Sequence, residues 1–436
     1  MISFEYACDI IESLSDGKLE GFLKEDLAAA QKHLKIGKDK PVCWQKRQRD
    51  RVITHLVSVL KKTNKMHLLP EHVDDERSGT IKVQPQTPQQ NKGTLVIWHY
   101  KFRRFKQTNW EDKMVWTAQA FHSCGYEIQQ HKKMICRIPF AKPYNGKSSC
   151  DIALYNHALR SDILGNVIKA NRTFFFKPNG PTKSHFTLDE LGYGPYSSIT
   201  YKKPEFENID RGDVDAFFGT DVKNWIDSRS TKWSTFDAFD VPQDDYYLVI
   251  TQTIRDATVT EMWTGEHIQA TVNIVRQLLR LDSRPVVVKL HPYTDGSKGE
   301  LKATPARPYE TLFKAQLMEL CKKYGERVFI YTGSTSIHSF VPKARCVVTC
   351  NSSAGFDVLM HNKPIICYGA PEYHWVSYDL RHICDLQRAI ELDWVDYEKM
   401  QQYLFWYMKQ YCCCDFGTTL TRVTSLVGGP DSNAAS

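Results

Sequence analysis

Two short segments combine residue types that bind anionic groups with positions that leave those groups reachable. VVVKLHP (286–292) is an apolar run closed by a cation, an imidazole and a proline that stops a strand. CVVTC (346–350) is a second apolar run, and Asn351, Ser352 and Ser353 follow it at the start of a helix-like pattern, SAGFDVLMHN (353–362). Hydroxyls and backbone N–H groups at such a start attract a phosphate. Lys289, His291, Pro292, Asn351, Ser352, Ser353 and Gly355 are therefore the candidate residues for holding a phosphate-bearing ligand. Each has a bland reading alone, because serines cap helices and a His-Pro pair ends strands. Together they follow strands of one sheet, and open α/β sheets bind ligands at the carboxyl ends of their strands.

The elements around them predict that sheet. DDYYLVITQT (244–253), RVFIYTG (327–333) and KPIICYG (363–369) read as further strands. HIQATVNIVRQLLRL (267–281) and LFKAQLMELCKKYG (312–325) read as helices between them. Strand and helix in alternation specify a parallel sheet wound on both faces. The first half repeats the pattern more weakly, with TLVIWHY (94–100), a helix over 110–123, CDIALYNHAL and NRTFFF (171–176). Residues 200–240 read as polar and irregular. Residues 1–70 read as helical, and 71–93 as a polar linker. Neither GxGxxG nor GxxxxGK[ST] occurs, which excludes a dinucleotide fingerprint and a P-loop.

With 436 residues the chain suits two domains and an appendage. Hydrophobic residues at 42% and charged at 25% exclude a disordered protein. No run approaches membrane-spanning length, and the first residues lack a secretory layout, so a cytoplasmic protein is expected. Lys+Arg 57 against Asp+Glu 50 leaves +7, which permits a polyanionic partner without requiring one. The thirteen cysteines show no C-x-x-C pair and never combine with histidine at ligand spacing. Free thiols and no zinc site are expected. Asp213 and Asp215 form a D-x-D, read here as a solvated loop and not as metal ligands.

VVVKLHP and the later CVVTCNSSAGFDVLMHNKPIICYGAPEY resemble the capsule polysaccharide biosynthesis family, which includes the bacterial β-Kdo transferases. Gly355, Phe356, Asp357, Leu359, Lys363, Pro364, Gly369, Pro371 and Tyr373 take the places of that family's helix–strand and G-x-P-x-Y segments. TFFFKPNGPTKSHFTLDELGYGPYSS (173–198) and LVITQTIRDATV (248–259) are similar to its first-domain glycine loop and to the strand that opens its second domain. The resemblance covers roughly residues 94–380. It implies an α/β, GT-B-like fold, with two doubly wound Rossmann-like domains, a cleft between them and a helical N-terminal region. The expected divisions are 1–93, helical region and linker; 94–240, acceptor domain; and 241–436, nucleotide-sugar domain with a helical tail. It implies a glycosyltransferase whose donor is a CMP-linked sugar, held at its phosphate by His291 and the serine turn. That pairing makes a metal unnecessary, and no cofactor is implied beyond the donor.

One departure bears on the chemistry. An acidic residue usual after the first-domain strand is replaced by Lys177, Pro178, Asn179 and Gly180. Asp151, Asp256, Asp295 and Glu372 are the candidate catalytic carboxylates in its stead. The acceptor stays open between a surface glycan or lipid and hydroxymethylated DNA of the phage type. The DNA option rests on HYKFRRFKQTNW (99–110), which interleaves basic and aromatic residues. The competing reading is a non-catalytic pseudo-glycosyltransferase that binds nucleic acid or glycan.

Overall fold

The structure is a computed structural model that describes residues 92–99, 110–131, 138, 140–144, 150–156, 170–178, 180–229, 231, 241, 243–253, 256–260, 267–291, 307–331 and 335–428. The expected helices of 1–70, the basic-aromatic residues 100–109, Pro292 and Asp295 lie outside them.

The first sheet begins with β1 (Gly93–His99), followed by helix α1 (Trp110–Ser123), β2 (Tyr126–His131), β3 (Lys142–Tyr144), β4 (Cys150–Asn156), β5 (Ala170–Lys177) and β6 (Phe186–Asp189). Its strands lie in the order β3-β2-β1-β4-β5-β6, parallel except for the β5–β6 pair. The alternation of β4 sends Ile152 and Leu154 to the α1 face and Ala153 and Tyr155 to the other. Met114, Ala118 and Phe121 of α1 recur at helical spacing and close the first face with Leu95, Ile97, Phe174 and Phe176.

Helix α2 (Arg211–Phe217) leads toward the second sheet. The stretch 200–240, expected to be irregular, is thus helical in part, because Asp210 caps α2 by accepting the Asp213 N–H. Asp213 and Asp215 are exposed on that helix, not in a loop, and Asp215 pairs with Arg211 at 2.6 Å.

The second sheet comprises β7 (Tyr246–Ile250), β8 (Val286–Lys289), β9 (Val328–Tyr331), β10 (Ala344–Thr349), β11 (Ile365–Cys367) and β12 (Tyr378–Asp379). Helices α3 (His267–Leu281), α4 (Arg307–Tyr324) and α5 (Ala354–Met360) connect them. The order is β9-β8-β7-β10-β11-β12, all parallel, which is the 3-2-1-4-5-6 order of a Rossmann sheet. Every residue of β7 and β8 is buried, since helices cover both faces, so these strands read as unbroken apolar runs. Val272, Val275, Leu278 and Leu279 form the stripe with which α3 covers Tyr247, Val249, Val286 and Val288. Each such aliphatic side chain contributes about 1.5–3 kcal/mol by leaving water.

The tail departs from the expected division. Helix α6 (Tyr397–Trp406) runs on through a wider turn to Tyr411, and β13 (Cys412–Cys413) then pairs antiparallel with β6 of the first sheet. Helix α7 (Phe416–Val427) packs Val423 and Leu420 into the core beside α1. Residues 412–427 therefore belong to the first sheet, not to the nucleotide-sugar domain where they were expected. Pro85–Ser436 forms one compact unit. The described cysteines are free thiols, and burial pushes Cys346 up to about 12.

Asp189 organises the junction of the two sheets. Its side chain is enclosed, and Oδ1 accepts the N–H groups of Leu191 (2.7 Å), Gly192 (3.1 Å) and Ser198 (2.9 Å). Oδ2 accepts the hydroxyls of Ser198 (2.5 Å) and Tyr411 (2.9 Å). One carboxylate thus folds the loop 190–198 and ties it to the end of α6. Asp189→Ala strands these donors in the interior and should lower stability by about 3–5 kcal/mol, read as a shifted urea midpoint. A shift under about 1 kcal/mol would remove this role from Asp189.

Candidate functional site

In the second sheet the chain runs from β7 outward to β8 and β9, then returns to the other side of β7 as β10. The carboxyl ends of β7 and β10 flank that reversal, the place where such sheets open a crevice for ligands. Thr251 and Gln252 follow β7, His291 follows β8, and Asn351–Ser353 follow β10. The Thr251 hydroxyl accepts the His291 N–H at 3.0 Å, and Gln252 Oε1 accepts the Asn351 N–H at 2.8 Å. Successive residues of the β7 loop therefore hold the two sequence motifs to one scaffold. Lys289 ends β8 at this same edge; it is 6% exposed, with its ammonium 5.8 Å from the Phe340 ring centroid.

The serine turn differs from simple capping. Ser353 is the N-cap residue of α5, yet its side chain makes no capping bond. Ser352 Oγ accepts the Ala354 N–H at 3.3 Å, and the Ser352 and Ser353 carbonyls accept the N–H groups of Gly355 and Phe356. The first donors of α5 are therefore engaged within the turn, contrary to the expectation that they face a ligand. What the turn retains is the Ser352 O–H proton, which meets no acceptor among the described residues. Tyr373 locks this geometry, since its hydroxyl donates to the Ser352 carbonyl at 2.5 Å. A Cβ on Gly355 would lie 2.1 Å from Tyr373 Cζ, so the glycine is required by the ring's approach.

The expected carboxylates part company. Asp151 begins β4, where its Oδ2 accepts the Thr94 N–H at 2.7 Å. It lies at the amino end of parallel strands, opposite the ligand-binding edge, and is removed as a catalytic candidate. Glu372 is 4% exposed, and both of its oxygens are taken. Oε1 accepts the Gly194 N–H at 3.1 Å, and Oε2 accepts the Tyr407 hydroxyl at 2.9 Å. The Glu372 carbonyl accepts the Tyr403 hydroxyl, and Trp375 Nε1–H donates to the Ile199 carbonyl at 2.7 Å. Glu372 is thus a joint between the loops 371–376 and 190–198. Gly194 makes that joint with φ +60, a conformation that favours glycine. Asp256 remains. Its Oδ1 accepts the N–H (3.1 Å) and hydroxyl (2.7 Å) of Thr258, and among the described residues no donor reaches Oδ2. Thr258 in turn accepts Asn351 Nδ2–H at its carbonyl (3.0 Å), and its methyl lies 3.4 Å from where a Cβ on Gly194 would stand. Asp256 therefore stands between the serine turn and the first-sheet loop.

Lys113 escaped the sequence reading. A lysine in an amphipathic helix usually snorkels to water, but this one is 2% exposed. Its ammonium donates to the carbonyls of Pro178 (2.8 Å), Lys183 (2.6 Å) and His185 (3.2 Å), and clamps the loop after β5. Burial lowers its pKa to about 8. On the same loop, His185 Nδ1 meets the Thr182 hydroxyl at 2.6 Å, and burial, aided by Lys113, lowers its pKa to about 4. The glycine-proline composition of 178–185 signalled a loop; nothing local signalled its distant clamp. Among the described residues, no group of three His, Cys, Asp or Glu side chains is placed to hold a metal. No described helix is long and apolar enough to cross a membrane.

Residues 227–394 match the family model of the capsule polysaccharide biosynthesis protein, which covers β7 to β12 and bears out the resemblance read from the sequence. No curated protein matches the chain significantly. Among solved structures, the β-Kdo 2,7 transferase of Thermosulfurimonas dismutans KpsC is similar at 13% identity, over 76% of this chain and 99% of that one, with a TM-score of 0.39. The β-Kdo 2,4 transferase of the same KpsC is similar at 15% identity, over 51% and 70%, with a TM-score of 0.37. The UDP-GlcNAc 2-epimerase of Methanocaldococcus jannaschii gives 11% identity, 77% and 99%, and a TM-score of 0.33. At these scores the likeness carries no residue correspondence.

Gly355→Ala should displace Tyr373 and cost about 2–4 kcal/mol, from overpacking and a lost hydrogen bond. A denaturation midpoint equal to wild type would contradict the close approach. The second prediction concerns acid. Unfolded His185 takes up a proton near its ordinary 6.5, whereas the folded chain refuses it until about 4. Its contribution is complete above about 6.5 and is lost as pH falls to about 4. His361, lowered to about 3 by burial, acts in the same direction. His185→Gln should therefore flatten, without abolishing, the fall in urea midpoint between those pH values. An unchanged slope would show that His185 is protonated in the fold.

Proposed function

We propose that this chain is a glycosyltransferase of the GT-B type that takes its sugar from a CMP-linked donor. The observation that carries the reading is the attachment of His291 and Asn351 to adjacent residues of the β7 loop, at the reversal of strand order. The family match over 227–394 supports it. In this reading the donor phosphate lies at that reversal. His291 and the Ser352 hydroxyl donate to its oxygens, so negative charge gathering on the leaving CMP is met by donors fixed beforehand. The acceptor hydroxyl attacks the anomeric carbon, the carbon–oxygen bond to CMP breaks, and the acceptor proton passes to Asp256. Charge is met by hydrogen-bond donors throughout, so the proposed transfer runs without a metal ion.

The first sheet supplies the acceptor side. The acceptor is a surface glycan or lipid, or hydroxymethylated DNA, and the enzyme works in the cytoplasm. A binder without catalysis is favoured by one observation only, the engagement of both Glu372 oxygens. The availability of Asp256 Oδ2 weighs against it.

Calorimetry and donor turnover test the reading together. His291→Ala should weaken CMP binding by about 1.5–3 kcal/mol, the loss of a charge-assisted hydrogen bond. Unchanged affinity in a folded variant would remove the phosphate from this edge. Asp256→Asn should keep CMP affinity and reduce the release of CMP from a CMP-sugar by roughly 10²–10⁴-fold. Full activity in that variant would exclude Asp256 as the base.

A further inference from the structure

Lys177 ends β5 at the carboxyl edge of the first sheet, beside the loop that carries Gly194 to Glu372. It is half-buried, and among the described residues no carboxylate reaches it and no carbonyl accepts from its ammonium. Its one close neighbour is the face of Tyr193, with the ammonium 5.4 Å from the ring centroid. Other interior cations are answered differently. Lys113 has three carbonyls, Arg284 has Asp245 and Asp282, and Arg422 has the Leu188 carbonyl and the Tyr411 ring. The nearby carboxylates Asp189 and Glu372 are already met by hydroxyls and N–H groups. Directly across the β5–β6 ladder from Lys177, and on the same face, Thr187 is fully enclosed with a hydroxyl that has no partner. An ammonium held on one side by an aromatic ring keeps N–H groups for a ligand on the other.

We propose that Lys177 is the binding point for an anionic oxygen, carboxylate or phosphate, carried by the acceptor. The word acceptor rests on the transferase reading; the anion site does not. Lys177 fixes the acceptor's charged group on the first sheet, across the loop 190–198 from Asp256. The acceptor class is thereby narrowed to molecules with a negative group near the hydroxyl that is glycosylated.

The test titrates the full chain at low salt with glucuronate, glucose 1-phosphate and glucose. Saturating CMP is included throughout, so that the donor phosphate site is occupied. At least one anionic sugar should bind about tenfold tighter than glucose, the usual weight of a charged hydrogen bond. Preference for glucuronate assigns a carboxylate, and preference for glucose 1-phosphate a phosphate. Lys177→Met should reduce the anion to the level of glucose, while Lys177→Arg should stay within about threefold of wild type. Anions that bind no tighter than glucose, or a folded Lys177→Met chain that keeps the preference, would overturn the assignment. CMP titrated alone separates the two claims. A chain that holds anionic sugars through Lys177 yet fails to bind CMP overturns the donor reading and leaves this one standing.

Discussion

Two carboxylates enclosed in the interior, Asp189 and Glu372, decide how the two sheets meet. A buried carboxylate without partners costs several kcal/mol, so each must be surrounded by donors before the fold is stable. Three tyrosine donors come from one helix. Tyr403, Tyr407 and Tyr411 recur every four residues along α6 and its wider last turn, which lines their hydroxyls on one side. Tyr407 answers the Glu372 carboxylate, Tyr403 donates to the Glu372 carbonyl, and Tyr411 answers Asp189. Gly194 and Ser198 complete the sets from the first-sheet loop. The tail can therefore leave the second sheet and add β13 to the first without leaving a polar group stranded.

The β7–β10 edge follows from sheet order. Reversal at β7 leaves the ends of β7 and β10 without a covering crossover, and the β7 loop fills that place with short polar side chains. Thr251 and Gln252 serve as acceptors for backbone N–H groups of the two neighbouring motifs. Tyr373, one residue from the Glu372 joint, holds the serine turn through the Ser352 carbonyl. Movement at the joint would thus be felt at the turn through a single pair of adjacent residues. The same adjacency explains why Gly355 and Tyr373 occur together, since the ring occupies the space a side chain would need.

Most of the second sheet was legible because its strands are buried on both faces and announce themselves as apolar runs. The helix over 267–281 was read to the residue, its periodic stripe being the face that covers the sheet. Strands β2, β3, β6, β12 and β13 were missed. YEIQQH and KPY lie toward an edge, mix polar with apolar residues and carry little periodic signal. The pair Cys412-Cys413 is too short to announce a strand and is recruited by β6 across a long separation in sequence. His291 and the serine turn were legible as local motifs on one sheet edge. The placing of Asp151 and Glu372 was not, because it depends on which end of a strand or which distant hydroxyl a carboxylate meets. Lys113 illustrates the same limit, since its three carbonyls lie in a loop beyond the next four strands.

The central claim is that the β7–β10 edge holds a nucleotide by its phosphate. It is tested most directly by titrating the full chain with CMP and with cytidine, which differ only in that group. The account predicts that CMP binds at least about tenfold tighter, with the difference shrinking as salt rises. Equal affinity for CMP and cytidine, or no binding of either at low salt, would contradict it.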